Sequence, residues 1–400
     1  MWRHRPSGVG LTDQSSAPED RPRTRLRDLG TYFLRLGTLG FGGPVALAGA
    51  MYRDLVERRR WITKDDYELS LALAQVMPGP LAAQLAMAIG YFIAGVRGAT
   101  LAGVAFVLPS FLIVVALAAL YVGSQGLWWV GAIFYTVGAS VIAIIALSSY
   151  KLARSANARD PLRWAIFGLL FIVTVIAQAE LAEFFLLAGL IVVLVRARPL
   201  WLRIKGLPVI FPIATFGAAL TDPTLERLTQ LFLFFAKAGA FVFGSGLAIV
   251  PFLHQGVVTE FGWLDERQFL DAVAVAIITP GPVVITVAFI GFLVAGPLGA
   301  TVAALGMFAP VWALTVLPAP WFKRNRDNAQ LRAFAAGATA AATGAIVGAV
   351  LLLGRGAITD LTTAAVALLT FVALLRFRLP EPVIVVASAV FGLALAIVRG

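Results

Sequence analysis

The chain contains no cysteine. Disulfides, iron–sulfur clusters and thiolate metal sites are therefore excluded. Histidine is nearly as scarce: only His4 and His254 occur, and His4 lies in a polar tail. No histidine-built haem or metal centre fits that supply, so neither a metal nor any cofactor is expected. Charge is thin as well. Charged residues make up 13% of the chain and hydrophobic ones 60%, where a soluble domain averages about 25% and about 45–50%. Acidic residues are outnumbered by basic ones, 21 to 32. The resulting +11 sits largely in short loops, where it reads as a topology signal and not as a nucleic-acid surface. The partner this composition implies is a lipid bilayer. Runs such as 98–121 and 334–354 are long enough to cross a hydrocarbon layer of about 30 Å as helices.

What the chain has in place of charge is repetition. Phe33, Gly37, Phe41, Gly42, Ala46, Trp61, Pro78, Gly79 and Pro80 each have an identical partner 202 positions on. After a slip of one residue, Gly90, Gly95, Gly98, Ala99, Thr100 and Pro109 pair with Gly291, Gly296, Gly299, Ala300, Thr301 and Pro310. Repeats in an apolar chain, interrupted by Gly and Pro at corresponding places, point to a transporter with its site between the two halves. The divisions are a tail over 1–27, a first repeat over 28–198, a linker over 199–229 and a second repeat over 230–400. The tail is polar and lacks an apolar core, so it is not a cleavable signal peptide. It reads as a disordered, basic, cytoplasmic segment. The linker carries a further apolar stretch, 206–220, of marginal length for a span.

Each repeat opens with a Gly-interrupted apolar segment (30–52 and 230–253). A second segment follows, broken at Pro78-Gly79-Pro80 or Pro280-Gly281-Pro282. Four longer segments close each half: 98–121, 126–150, 162–178 and 181–196, then 298–320, 331–353, 358–375 and 381–398. Loop charge alternates between the halves. The loop at 53–64 is strongly basic, while 255–266 has no Lys or Arg. The loop at 122–130 is uncharged, while its partner near 323–332 carries Lys323, Arg324, Arg326 and Arg332. By the positive-inside rule the halves lie inverted in the membrane. The expected fold is an all-α polytopic membrane protein of two inverted repeats with Gly/Pro-broken helices. Inversion needs an odd number of crossings between repeats. Four spans plus 206–220 supply it if the two broken segments each return to the side they came from; two full crossings there would give the same parity.

The breaks are where chemistry is expected. Pro lacks an N–H and Gly admits unusual backbone angles, so each break frees backbone groups. At membrane depth such groups are tolerated only where protein buries them or water reaches them. A half-helix starting after the break turns free N–H groups and a positive dipole end inward, which suits an anion. The site is therefore placed on Gly42, Gly43 and Pro44, on Pro78, Gly79 and Pro80, and on their counterparts Gly244, Ser245, Gly246, Pro280, Gly281 and Pro282. Gln84 and Thr286 add matched polar groups one turn past each Pro-Gly-Pro. Arg35 and Lys237, also matched, are cations in apolar surroundings that would suit a dianion; snorkelling to the interface is the other account of them. The carboxylates available for proton coupling are Glu68 and Asp271, both also explicable as residues near helix starts. No His, Cys or carboxylate cluster lies at the breaks, so no catalytic residue is assigned and the chain is not expected to be an enzyme.

Phe41-Gly42-Gly43-Pro44, Trp61, Met77-Pro78-Gly79-Pro80 and the duplicated Thr279-Pro280-Gly281-Pro282 together resemble the chromate ion transporter family in its two-domain form. The resemblance runs from about 28 to 400. It implies a multi-pass protein of the bacterial or archaeal inner membrane that exports chromate, driven by the proton motive force, with the oxyanion held at broken-helix N-termini between the repeats. The partners it implies are chromate or sulfate dianions and protons, and it leaves a homo-oligomer open. Two other functions stand beside export: an importer or exchanger of sulfate or a related oxyanion, and an anion channel. The second half departs from the first at Ser245-Gly246, where the first has Gly43-Pro44.

Overall fold

A computed structural model describes residues 25–40, 43–124, 128–177, 183–196, 223–241, 246–324, 328–377 and 379–399. Among these residues there is no strand, and the architecture is helical throughout. The tail over 1–24 and the apolar stretch 206–220 lie outside the described residues, as do Gly42, Gly244 and Ser245.

The first repeat begins with α1 (Leu26–Leu39), α2 (Gly43–Met51) and a π-helical extension, Tyr52–Arg58. These form a hairpin that returns to its own starting side. Midway along α1, the Tyr32 ring meets the Trp61 ring edge-on at 6.1 Å, and Arg59 covers both rings. A second hairpin follows: α3 (Lys64–Val76), then α4 (Leu81–Gly123). Thr63 caps α3 by accepting from the Asp66 N–H at 3.1 Å, a contribution of about 1 kcal/mol. The chain turns back at Pro78–Pro80. Leu69 and Leu73 of α3 share an apolar cluster with Ala88, Tyr91 and Phe92 of α4, which a helix continuing straight would place about 30 Å from Leu69.

α4 itself doubles back. At Ala94 and Gly95 its backbone leaves the helical range, Gly95 taking φ +62. Gly90 and Gly98 then meet so closely that a side chain on either would strike the other's carbonyl oxygen. Residues eight apart in a straight helix are about 12 Å apart. The limb beyond Gly95 is thus the first long span. α5 (Trp128–Asn157), α6 (Pro161–Ala177) and α7 (Glu183–Arg196) complete the repeat.

The second repeat follows the same course. α8 (Pro223–Phe241), a 3-10 turn at Gly246–Ile249, α9 (Val250–His254) and the π-helical Gln255–Glu260 make its first hairpin. α10 (Glu266–Ile278) and α11 (Thr286–Val316) make its second, with a reversal at Ala295 and Gly296 (φ +63). α10 carries a full capping box between Asp265 and Gln268. α12 (Ala319–Arg324), α13 (Ala329–Ala357), α14 (Leu361–Phe377) and α15 (Glu381–Arg399) end the chain.

The halves interlock. α5 packs against α14 and α15, and α13 packs against α6 and α7. Thr136 of α5 donates to the Ser388 carbonyl at 2.7 Å, and Ser140 to the Ser388 hydroxyl at 2.7 Å. Gly344 and Gly348 let α13 lie directly on the α6 backbone at Phe167 and Phe171, the small-residue packing that membrane helices favour. At the centre α4 crosses α11. Trp312, near the end of α11, donates to Thr100, early in the distal limb of α4, at 3.0 Å. The start of one repeat's span therefore lies beside the end of its counterpart.

Five helices among the described residues are long and apolar enough to cross a membrane, and three shorter apolar ones accompany them. Large apolar residues stand exposed on them, among them Leu169, Ile176, Leu368, Leu369 and Val390. A continuous surface of that kind belongs against lipid.

Candidate functional site

The Pro-Gly-Pro bends have the backbone that the breaks require. Gly79 has φ +138 and Gly281 φ +97, angles that L side chains rarely adopt. Each bend is seated against the other half. A Cβ on Gly79 would lie 3.1 Å from Val311 of α11. The Gly281 N–H donates to the Gly40 carbonyl, at the tip of the opposite first hairpin, at 2.9 Å. Ser110 of α4 donates to the Pro280 carbonyl at 2.7 Å, with the Gly37 carbonyl 3.4 Å away. Gly246 lies beside Val283 and Val284. The structure thus brings hairpin tips from both halves to one place, flanking the crossing of α4 and α11. Ser110 was not among the residues singled out in sequence; its repeat partner is Val311, so the duplication gave no polar signal there.

The two bends differ chemically. In the first half α4 opens directly at Pro80. Its first three amides, on Leu81, Ala82 and Ala83, have no intrahelical acceptor, and Ala82 and Ala83 are buried. Gln84 is fully buried and donates from Nε2 to the Pro78 carbonyl at 2.7 Å and the Met77 carbonyl at 3.3 Å. Its Oε1 has no hydrogen-bond partner. In the second half a 3-10 turn, Val283–Ile285, precedes α11, and the Thr286 hydroxyl donates to the Val283 carbonyl at 2.8 Å. Orphaned buried amides can hold an anion in both halves; the first adds an unpaired acceptor. Gly43 and Pro44 open α2.

Arg35 and Lys237 are not brought to this place. Both are exposed, whereas Phe33 and Gly37 of α1, and Phe235 and Gly239 of α8, point the opposite way and are buried. Two residues on from Phe33 is about 200° around a helix, so burying Phe33 turns Arg35 outward. Glu68 also lies at the surface: its side chain is 61% exposed and pairs with Lys64 at 3.8 Å.

Asp271 is placed differently. It is buried, at 2% exposure, and its Oδ2 accepts from the Tyr121 hydroxyl of α4 at 2.7 Å. It lines a cleft of about 620 Å³ between α5, α10, α13, α14 and α15. Arg267 and Glu266 stand nearer the start of α10 in the same cleft, Glu266 pairing with His254 at 2.6 Å. Tyr135 of α5 donates to Asp360 at 2.6 Å on the cleft's rim. That contact, together with the Thr363 amide, holds the Asp360 carboxyl down at about 2.

Fold and site together define a polytopic membrane protein of two like halves, with its broken-hairpin tips joined at the centre. The family model described as Chromate transporter matches residues 27–206 and 229–393. The chain is 55% identical to the chromate transport protein of Cupriavidus metallidurans over 96% of both chains. It is 51% identical to the probable chromate transport protein of Synechococcus elongatus, over 96% of this chain and 98% of that one. It is 31% identical to the chromate transport protein of Pseudomonas aeruginosa over 78% of this chain and 77% of the other. The chain belongs to the chromate transporter family. No solved structure matches it.

Proposed function

We propose that the protein exports chromate across the inner membrane, driven by the proton motive force, and that the oxyanion binds where the Pro-Gly-Pro tips of the two halves meet. The observation that carries this reading is the junction itself. Gly281 is bonded to Gly40 and Ser110 to Pro280 across the halves, beside buried helix-start amides that need an acceptor. A tetrahedral dianion offers oxygens to several such donors at once. The names of the relatives favour chromate over other oxyanions of that shape.

The halves are read as inverted. In support, Thr100 meets Trp312, start against end. Loop charge agrees: Arg53, Arg58, Arg59, Arg60 and Lys64 in the first half stand against a counterpart without Lys or Arg. On this reading the N-terminal tail and the loops at 53–64, 151–163 and 323–332 lie in the cytoplasm. The loops at 122–130 and 255–266 then lie outside. Alternating access would rock one half against the other about the shared tips.

The test is radiolabelled chromate flux into inverted membrane vesicles. Accumulation that an uncoupler abolishes and excess sulfate leaves largely intact supports chromate export. Accumulation that sulfate abolishes assigns the protein to sulfate or a general oxyanion. Flux that never runs uphill assigns a channel.

A further inference from the structure

Repeat-related residues at the bases of the two second hairpins make the same contact with opposite chemistry. In the sequence alignment Tyr121 corresponds to Phe322, and Asp271 to Leu69. Tyr121 donates to Asp271 at 2.7 Å. Phe322 and Leu69 share one apolar cluster, with Leu73, Ala88 and Ala319. One base is therefore sealed by hydrocarbon. The other holds a buried carboxylate at the wall of a 620 Å³ cleft. An ionisable group inside a membrane protein is costly and is kept where it acts. Were the Tyr121–Asp271 pair there for packing alone, the apolar pair that fills the matching position would serve as well.

The surroundings restrict what this carboxylate can do. From α4 it faces Tyr121, and from its own helix Arg267 one turn earlier. Glu266 is engaged by His254 of α9, and Tyr135 of α5 by Asp360. α13 and α15 contribute Gly356, Ala357, Gly392, Leu395 and Ala396, and the turn into α14 Thr359 and Thr363, none of them titratable; Asp265, which caps α10, is the other carboxylate near enough to act on Asp271. No cation forms a salt bridge with Asp271 among the described residues, and the cleft connects it to the membrane face at the start of α10.

We propose that Asp271, steadied by Tyr121, is the proton-carrying group that couples the gradient to transport, and that this half alone supplies one. The inference rests on the transport reading above. With the halves inverted, the cleft opens outward, the side from which protons enter down the gradient. In each cycle one proton from the outer cleft binds the free Oδ1, while Oδ2 keeps the Tyr121 hydrogen bond. Neutral Asp271 loses its need for water and the cleft closes. The proton leaves to the cytoplasm as the oxyanion moves out.

Purified protein in proteoliposomes tests this with two readouts: chromate–chromate exchange without a gradient, and chromate accumulation driven by an imposed pH gradient. Asp271→Asn is expected to retain exchange within about twofold of the original rate, roughly 0.4 kcal/mol by the tenfold-per-1.4 rule, while gradient-driven accumulation falls to the level without a gradient. Asp271→Glu should restore gradient-driven accumulation with a displaced pH profile, and Tyr121→Phe should keep coupling with a displaced profile. Retained gradient drive in Asp271→Asn would overturn the proposal. So would exchange and gradient drive falling together in Asp271→Asn and Tyr121→Phe, which marks a structural pair. Absence of exchange in the unmodified protein would overturn the transport reading itself, and this one with it.

Discussion

Gly281→Ala is the sharpest perturbation of the central junction. At φ +97 a Cβ imposes backbone strain of about 1–3 kcal/mol. The new methyl would also land on the Ser110 hydroxyl, with Ser110 Cβ at 3.2 Å and the Gly37 carbonyl at 3.4 Å. Ser110 would have to rotate away, breaking its 2.7 Å bond to the Pro280 carbonyl. Losing that bond costs about 0.5–1.5 kcal/mol, and stranding the buried carbonyl brings the loss to about 1–3 kcal/mol. The combined cost is about 2–6 kcal/mol. Ser110→Ala alone loses only the bond. In the double variant the hydroxyl is gone before the methyl arrives, so Gly281→Ala adds only the φ strain to the bond already lost. The two changes should therefore be less than additive, with a coupling of about 1–2 kcal/mol. Unfolding in detergent across the four proteins measures this, with chromate flux in vesicles recorded per folded molecule. Strict additivity would refute the packing at Ser110. A Gly281→Ala protein as stable as the original would refute the φ argument as well. Normal flux per folded molecule would move the anion site away from this tip.

The inverted arrangement predicts that cysteines introduced at the repeat-related positions Gly123 and Arg324, in a chain without other cysteines, label from opposite faces; labelling from one face would exclude it. Because Arg35 and Lys237 are turned outward, the Arg35→Ala, Lys237→Ala double variant should keep chromate resistance at equal expression, and loss of resistance would return both to the anion path. Asp160, in the turn before α6, pairs with Arg196 at 2.9 Å and Arg163 at 3.4 Å. Burial raises its pKa, but the Arg196 hydrogen bond and the Leu162 amide outweigh this and hold it below the usual carboxylate value. A depressed folded pKa gives stability that is present above the unfolded value, about 3.9, and is lost as pH falls through the folded one. Asp160→Asn should therefore lower the melting temperature at pH 7, and the gap should close on acidification below about pH 4; a gap independent of pH would show that the pairing contributes nothing.

Much of the backbone was legible because the duplication marks it. Gly79 and Gly281, Gly95 and Gly296, and Arg60 and Gly262 are repeat partners, and all six have positive φ. Each therefore sits at a bend that both halves share. The capped start of α3 was readable from Thr63 and Asp66, and that of α10 from Asp265 and Gln268. Partners across the halves were not readable. Nothing in local sequence says that α5 lies on α14 and α15, or that Ser110 meets Pro280, since those contacts follow from the interlock. Arg35 and Lys237 lie away from the junction for a reason that periodicity could have supplied. Phe33 and Gly37, four apart, mark the packed face of α1, and Arg35 lies midway between them on the opposite side.

The duplication explains the shape of the molecule, and the departures from it show where the two halves are chemically unequal. Two identical halves would present the same chemistry at both ends of the molecule. This chain breaks the equivalence at three matched places. Arg59 lies over the Trp61 ring in one half, where Phe261 stacks on Trp263 in the other. Gln84 leaves an acceptor unpaired where Thr286 satisfies itself locally. Tyr121 and Asp271 stand where Phe322 and Leu69 stand opposite. The first difference fits the proposed assignment of a cytoplasmic surface to the first half and an outer one to the second. The second makes the two Pro-Gly-Pro bends chemically unequal. The third confines the titratable group to one half. On the proposed reading, a backbone with near-twofold symmetry lets two access states resemble each other in energy, the proton gradient sets the direction, and the unequal side chains fix which half takes up the proton.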